Sequence, residues 1–227
     1  MGKDKLRRFA ENETFSNVFQ PDREEFFRFK GSWNSEYFRN KHPIVLELGC
    51  GKGEYTLALA EAYPDKNFIG IDIKGARFWR GAKSALENRL ENIAFLRTRI
   101  EWIDRLFGPE EISEIWITFP DPQIKYRRAK HRLTHPVFLR RYYSIMKPGS
   151  SVHLKTDSEF LYGYTQGVLQ CGNHEILLCS YDVYRTDMVR FPEYVTEVQT
   201  FYEKSFLRIG KLISYIQFRL NFDGLTL

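Results

Sequence analysis

The stretch PIVLELGCGKGEYTLALAEAYP, residues 43–64, decides how the rest of the 227-residue chain is read. Ile44 to Leu48 form a nearly continuous apolar run that ends in glycine, as a buried parallel strand does. Downstream, Tyr55, Leu59, Ala62 and Tyr63 recur at helical spacing, and Pro64 closes the helix. The alternation continues. NFIGIDI (67–73) is a second strand and KGARFWRGAKSALENRL (74–90) a second helix with a basic exposed face. NIAFLRT (92–98), EIWITF (114–119) and SVHLKT (151–156) supply three more strands, with helical segments around 101–107 and 134–146. A helix near 158–172, a strand at EILLCS (175–180) and an alternating, antiparallel strand in ISYIQFRL (213–220) follow. Strands that alternate with helices specify an α/β fold with a mostly parallel sheet.

Upstream, residues 1–40 are dense in charge and aromatic rings, interrupted by Pro21 and Gly31. They read as an N-terminal arm, with residues 41–227 as one domain. Leu6, Phe9, Phe15, Val18 and Phe19 are available to anchor the arm, and a short packed helix is an equal alternative. The length suits one domain, and 43% hydrophobic with 28% charged residues excludes a chain disordered throughout. No apolar run is long enough for a membrane span and the first residues lack a signal core, so a soluble, cytoplasmic protein is expected. Three cysteines at 50, 171 and 179 make neither a disulfide framework nor a zinc spacing, and no metal is expected. A net charge of +5 leaves a nucleic-acid partner open without establishing one.

Where the first strand turns into the first helix lies Glu47-Leu48-Gly49-Cys50-Gly51-Lys52-Gly53. Ligands of α/β sheets bind at this end of the strands. A dinucleotide loop reads G-x-G-x-x-G and sets pyrophosphate on a helix N-terminus; here the pattern is G-x-G-x-G after an acid. S-adenosylmethionine carries a sulfonium and an ammonium and no phosphate, so Glu47 beside the loop suits it. Asp72, at the end of the second strand, is placed to accept both ribose hydroxyl protons. The methyl donor is therefore preferred to a dinucleotide.

After the fourth strand comes Phe119-Pro120-Asp121-Pro122, and then a run from Lys125 to Arg132 with five Lys/Arg in eight positions. Two prolines hold one carboxylate in place. A basic run interleaved with Tyr126 and His131 is what phosphate contact and base stacking require, although charge alone equally describes a solvated loop. His153 lies inside a strand and reads as a satisfied core histidine, and Cys50 as a small loop residue. Trp79, Trp102 and Trp116 read as packing residues; Trp33 has base stacking as its minority reading.

These blocks, with His153-Leu154-Lys155-Thr156-Asp157 and Thr200-Phe201-Tyr202-Glu203, resemble the bacterial tRNA (guanine-N7-)-methyltransferase family from about residue 43 onward. The resemblance implies a Rossmann-like class I methyltransferase fold with a seven-stranded sheet, helices on both faces and an antiparallel C-terminal strand. It implies transfer from S-adenosylmethionine to N7 of guanine 46 in the tRNA variable loop. Glu47, Gly49, Gly51, Gly53, Asp72, Arg99 and Asp121 would bind the donor, with Asp121 also catalytic. Lys125, Asp157, Thr200, Phe201, Tyr202 and Glu203 would bind the target nucleotide, and Arg127, Arg128, Lys130, His131 and Arg132 the RNA. The partner would be tRNA, and the protein a monomer or homodimer. Three departures stand out: Arg99-Ile100 where relatives commonly have Asp-Ala, Gln123-Ile124 where they have Trp-Pro, and Tyr202 where many have Phe. Two other readings remain: a methyltransferase for a small molecule or protein, and an RNA-binding module without catalysis.

Overall fold

The structure is a computed structural model that describes residues 3–20, 28–185, 190–192 and 194–222. In chain order its elements are α1 (Lys3–Thr14), β1 (Val18–Phe19), a π-helical turn (Trp33–Phe38), β2 (Ile44–Leu48), α2 (Glu54–Ala62), β3 (Asn67–Ile71), α3 (Gly75–Glu87) and β4 (Ile93–Leu96). There follow a 3-10 turn (Ile100–Trp102), α4 (Ile103–Leu106), β5 (Ile112–Thr118), a second 3-10 segment (Tyr126–His131), α5 (Pro136–Tyr143) and β6 (Met146–Thr156). The last are α6 (Glu159–Cys171), β7 (Glu175–Ser180), α7 (Tyr194–Glu197), α8 (Phe201–Arg208) and β8 (Ser214–Arg219).

The strands form one sheet in the order β1-β4-β3-β2-β5-β6-β8-β7. All pairs are parallel except β8 with its two neighbours, β6 and β7. The expected mostly parallel sheet with an antiparallel last strand is present. It has eight strands among the described residues, against the seven expected, because Val18 and Phe19 add an edge strand beside β4. Two residues give too weak a period to be read from sequence.

Every residue of β2, β3 and β4 is buried, which explains their continuous apolar runs. Alternation divides them between two cores. Ile44, Leu46 and Leu48 join Ile69, Ile71, Ile115 and Ile117 on one face. Val45 lies on the other with Phe68, Phe95 and Trp116, so Glu47, two residues on, is delivered to that second face as well. Local chemistry starts the helices: the Ser158 hydroxyl accepts from Leu161 N–H at 3.2 Å to cap α6, and His135 with Pro136 opens α5.

In residues 3–14 the alternative of a packed helix is the one observed. The helix α1 lies against α3, with Asn12 Nδ2 donating to the Gly75 carbonyl and Trp79 Nε1 to Glu11 Oε2. Phe9 lies under the Arg97 guanidinium, whereas Leu6 stays exposed. Trp33 is fully buried against Phe19, Phe29, Tyr37 and Phe107, and its Nε1 donates to the Leu106 carbonyl at 3.1 Å. Base stacking by Trp33 is thereby replaced by a core role. Trp33→Ala is expected to cost about 3–5 kcal/mol in chemical denaturation, as loss of a fully buried indole does.

Candidate functional site

The parallel strands β2, β3, β4, β5 and β6 all end on one side of the sheet, and the expected site residues hang from those ends. Glu47, the penultimate residue of β2, is only 4% exposed. Its Oε2 accepts from the Thr56 N–H at 2.9 Å and from the Thr56 hydroxyl, and its Oε1 accepts from the Thr118 hydroxyl at 2.5 Å. One carboxylate thus ties β2, the first turn of α2 and the end of β5 together. Gly70, its register partner on β3, makes this possible: a Cβ there would sit 2.8 Å from Thr56 Oγ1. Burial pushes the Glu47 pKa from 4.5 up to about 7, with Asp72 adding repulsion and the hydroxyl bonds opposing the rise.

The glycine loop leaves β2 with positive φ at Gly49 (78°), Gly51 (58°) and Gly53 (73°), a conformation that side chains resist. Asp72 fixes it. Its Oδ2 accepts from Gly51 N–H at 3.0 Å and its Oδ1 from Lys74 N–H at 2.7 Å. Each oxygen keeps a lone pair for a ribose hydroxyl. A Cβ on Gly49 would meet nothing within 4 Å, and one on Gly51 only the Gly49 carbonyl at 3.9 Å. The bare loop therefore borders open space, which fits a bound donor. Gly53 is different: a Cβ there would collide with the Phe95 ring at 2.6 Å, so this glycine serves packing. Cys50 is buried and its thiol pKa is pushed well up, which makes it a small loop residue and a poor nucleophile. Arg99 is exposed just beyond β4, in extended backbone.

After β5 the chain takes left-handed backbone at Phe119 (φ 47°) and again at Gln123 (φ 45°). Each costs about 1–3 kcal/mol for a residue with a side chain, so the surroundings must impose it. They do. Phe119 N–H donates to the Lys155 carbonyl at 2.8 Å, and Gln123 N–H to Asp121 Oδ1 at 3.0 Å. Arg132 then donates to the Gln123 carbonyl from Nε at 3.3 Å and Nη2 at 3.1 Å, with its guanidinium over the rings of Phe160 and Tyr164. Asp121 is left exposed at the crest. Arg132 was expected on the RNA-contacting face; it is 5% exposed and is instead the staple of this loop, because its donors are spent on backbone carbonyls. Lys125, Arg127, Arg128, Lys130 and His131 are exposed, and Tyr126 between them is 91% exposed.

The residues expected to bind the target nucleotide divide. The Thr200 hydroxyl caps α8, accepting from Glu203 N–H at 3.2 Å. Glu203 is fully buried; its Oε1 lies 2.7 Å from Lys155 Nζ and accepts from Tyr184 OH at 2.7 Å, while Oε2 is buried without a partner among the described residues. The carboxylate expected at the substrate is thus sealed inside, joining β6 to α8. Burial lowers the Lys155 pKa and the Glu203 carboxylate pulls it back up. Phe201 and Tyr202 are exposed. Phe201 meets the glycine loop, with Lys52 Nζ 3.7 Å from its ring centre and its N–H donating to Glu54 Oε2 at 2.9 Å. Asp157, just past β6, pairs with Lys211 Nζ at 2.5 Å. Sequence reasoning passed over Lys155, Tyr184, Lys52, Glu54 and Lys211. Only Lys155 carried a signal, a lysine inside an apolar strand run.

Behind the site, His153 is stacked on Trp116 at 4.1 Å, with Nδ1 2.7 Å from Tyr215 OH and Nε2 3.3 Å from Glu114. It is the satisfied core histidine that its strand position implied, and burial pushes its pKa from 6.5 down to about 4. Among the described residues no group of three or more His, Cys, Asp or Glu is placed to hold a metal ion, and no helix is long and apolar enough to cross a membrane.

Sheet order, a bare glycine loop and a strand-end aspartate define a Rossmann-like methyltransferase of the S-adenosylmethionine-dependent kind. The methyltransferase family model Methyltransf_4 matches residues 41–214. The crystal structure of the 16S rRNA methyltransferase KamB superposes with a TM-score of 0.62 at 16% identity, over 85% of this chain and 94% of that one, a likeness of fold. A protein of Christiangramia forsetii named tRNA (guanine-N(7)-)-methyltransferase is 60% identical over 223 residues, covering 96% of this chain and 99% of that protein. A protein of the same name from Bacteroides thetaiotaomicron is 45% identical over 228 residues, covering 99% and 88%. The chain belongs to the tRNA (guanine-N(7)-)-methyltransferase family.

A Cβ on Gly81 would lie 2.7 Å from the Lys52 carbonyl and 3.1 Å from Gly53 Cα. Gly81→Ala should therefore push on the glycine loop, costing about 1–3 kcal/mol of stability and weakening donor binding in calorimetry. Gly163→Ala, whose added carbon meets nothing, serves as the control. Glu47, with its pKa raised when folded, favours folding while it is protonated, and that contribution is lost as pH rises from 4.5 through 7. His153, with its pKa lowered, acts in reverse: stability is lost as pH falls from 6.5 through 4. The two slopes oppose each other. Relative to Glu47→Gln, the wild type should lose about 3 kcal/mol between pH 4.5 and pH 7 in urea melts, as its carboxyl is held up at about 7.

Proposed function

We propose that this protein transfers a methyl group from S-adenosylmethionine to N7 of guanine 46 in the variable loop of tRNA. The observation that carries this reading is the loop after β5. A strained, stapled backbone holds the Asp121 carboxylate at the ends of the same strands that carry the bare glycine loop, and an exposed basic run leads away from it. The family's named activity supports it.

Guanine N7 has a lone pair and no proton, so transfer is an in-line displacement that needs no general base and no metal. Bound S-adenosylmethionine supplies an activated methyl group on a sulfonium. The chain's own work is to position the two partners and to stabilise the positive charge that grows on the purine. Asp72 holds the donor's ribose and fixes the glycine loop. Glu47, when ionised, gives negative charge beneath that loop, and Gly49 and Gly51 leave room for the ligand. Arg99 stands where relatives commonly have an acid and would meet the adenine end. Asp121 is the catalytic carboxylate, opposite the developing purine cation. Asp157 accepts from the guanine ring, while Phe201 and Tyr202 line the mouth. Glu203 and Thr200 act from behind, holding α8. Lys125, Arg127, Arg128, Lys130 and His131 bind phosphates of the RNA.

Asp121→Asn is expected to lower single-turnover transfer at least 100-fold while changing donor affinity less than about 3-fold, since a charge that matters only in the transition state affects rate alone. Equal losses in both would remove the catalytic role. The reading itself is tested by incubating unmodified tRNA with labelled donor and cleaving at N7-methylguanine with aniline. Cleavage at position 46 is expected. Tight, salt-dependent tRNA binding without any transfer would overturn the enzyme reading in favour of an RNA-binding module.

A further inference from the structure

We infer that Lys211, acting with Asp157, reads the base edge of the target guanine. The inference rests on the N7-guanine reading above. Asp157 leaves β6 at the site, in a turn fixed by Ser158 N–H donating to Thr156 Oγ1 at 3.1 Å, and its side chain is 17% exposed. Lys211 comes from 54 positions further along the chain. Gly210, at φ 75°, reverses the chain after α8, and the Lys211 N–H returns to the Phe206 carbonyl at 3.1 Å. The Lys211 stem brings its ammonium 4.6 Å from the Phe206 ring centre and 2.5 Å from Asp157 Oδ2, with the side chain 44% exposed. Phe206 also packs against Phe119 of the strained loop at 5.9 Å, so the pair is built on the same wall as Asp121.

The chemistry of such a pair is directional. Among the described residues Asp157 Oδ1 accepts no other bond, and an ammonium has three donors, of which Asp157 takes one. The pair therefore offers an acceptor beside a donor. Guanine presents the complement on its Watson–Crick edge: N1–H donates and O6 accepts. Adenine presents the reverse, with N1 accepting and the 6-amino group donating, and meets like against like. A guanine held with N1–H on Asp157 and O6 on Lys211 leaves the N7 lone pair, on the adjoining Hoogsteen edge, free for transfer. Methylation at N7 makes the ring cationic and its N1–H more acidic, so the bond to Asp157 strengthens as the reaction proceeds. The other candidates for this task are placed elsewhere: Glu203 is sealed in its ion pair with Lys155, and Lys125 stands exposed on the basic run. Lys211 is thus a specificity-determining residue that touches the substrate.

The test uses full-length protein and tRNA carrying guanine, inosine or 2-aminopurine at the target position. Inosine keeps O6 and N1–H; 2-aminopurine lacks both and keeps N7. Wild type should accept inosine within a few fold of guanine and discriminate against 2-aminopurine by kcat/KM. In Lys211→Met the guanine to 2-aminopurine ratio should fall about 10- to 100-fold, the worth of one good base contact. Lys211→Arg, which keeps a donor, should restore most of it. Donor affinity and melting temperature should match wild type in both variants. An unchanged ratio in Lys211→Met overturns the inference and marks the pair as a surface ion pair. Failure of wild type to methylate any guanine in tRNA would instead remove the functional reading on which it rests.

Discussion

A carboxylate shut inside the sheet, that of Glu47, sets the relation of the elements that carry the site. Leaving water is costly for a charged group, and three hydrogen bonds from two threonines offset that cost only if both are held in place. Thr56 lies in the first turn of the helix after the glycine loop, and Thr118 closes the strand before the strained loop. The same few ångströms therefore fix where the glycine loop begins and where the strained loop departs. Gly70 is small because Thr56 must pass it.

The acids of the site sit in different environments. Glu47 is enclosed and its proton is held more tightly, Asp72 accepts one backbone amide on each oxygen, Glu203 is neutralised internally by Lys155, and Asp121 faces solvent. A pocket for a cationic donor and a cationic product requires negative charge, but four free carboxylates would repel one another. Burial and pairing distribute that charge. The basic residues are sorted in the same way: Arg132 and Lys155 are structural and buried, while the exposed ones rim the site. A formal charge of +5 conceals this arrangement.

The parallel core was legible because β2, β3 and β4 are buried on both faces and their runs are unbroken. The glycine loop and Asp72 were legible because positive φ and strand-end position leave residue-type signatures. What escaped was decided by distant contacts. Nothing local distinguishes Arg132 from its exposed neighbours; its burial depends on Phe160 and Tyr164 of another helix. Thr200 and Glu203 resemble surface ligands in sequence, yet a cap and a lysine 48 positions upstream claim them. The two-residue strand β1 and the helix α1 lie in a segment whose charge and rings hide any period. Lys211 pairs with an acid 54 positions away, a separation no motif spans.

The place of β8 in the sheet has a consequence for how the chain assembles. Strand β8 follows all the others in the sequence yet lies between β6 and β7, and β7 joins the sheet only through it. During synthesis β7 has no strand partner until residues 214–219 have been made, so this edge of the sheet forms in one late, high-contact-order step. Two ion pairs, Asp157 with Lys211 and Lys155 with Glu203, tie the end of β6 to the segment that leads into β8. A nascent chain can thus shape its glycine loop early, while the edge that carries these two ion pairs is completed only when the seam closes.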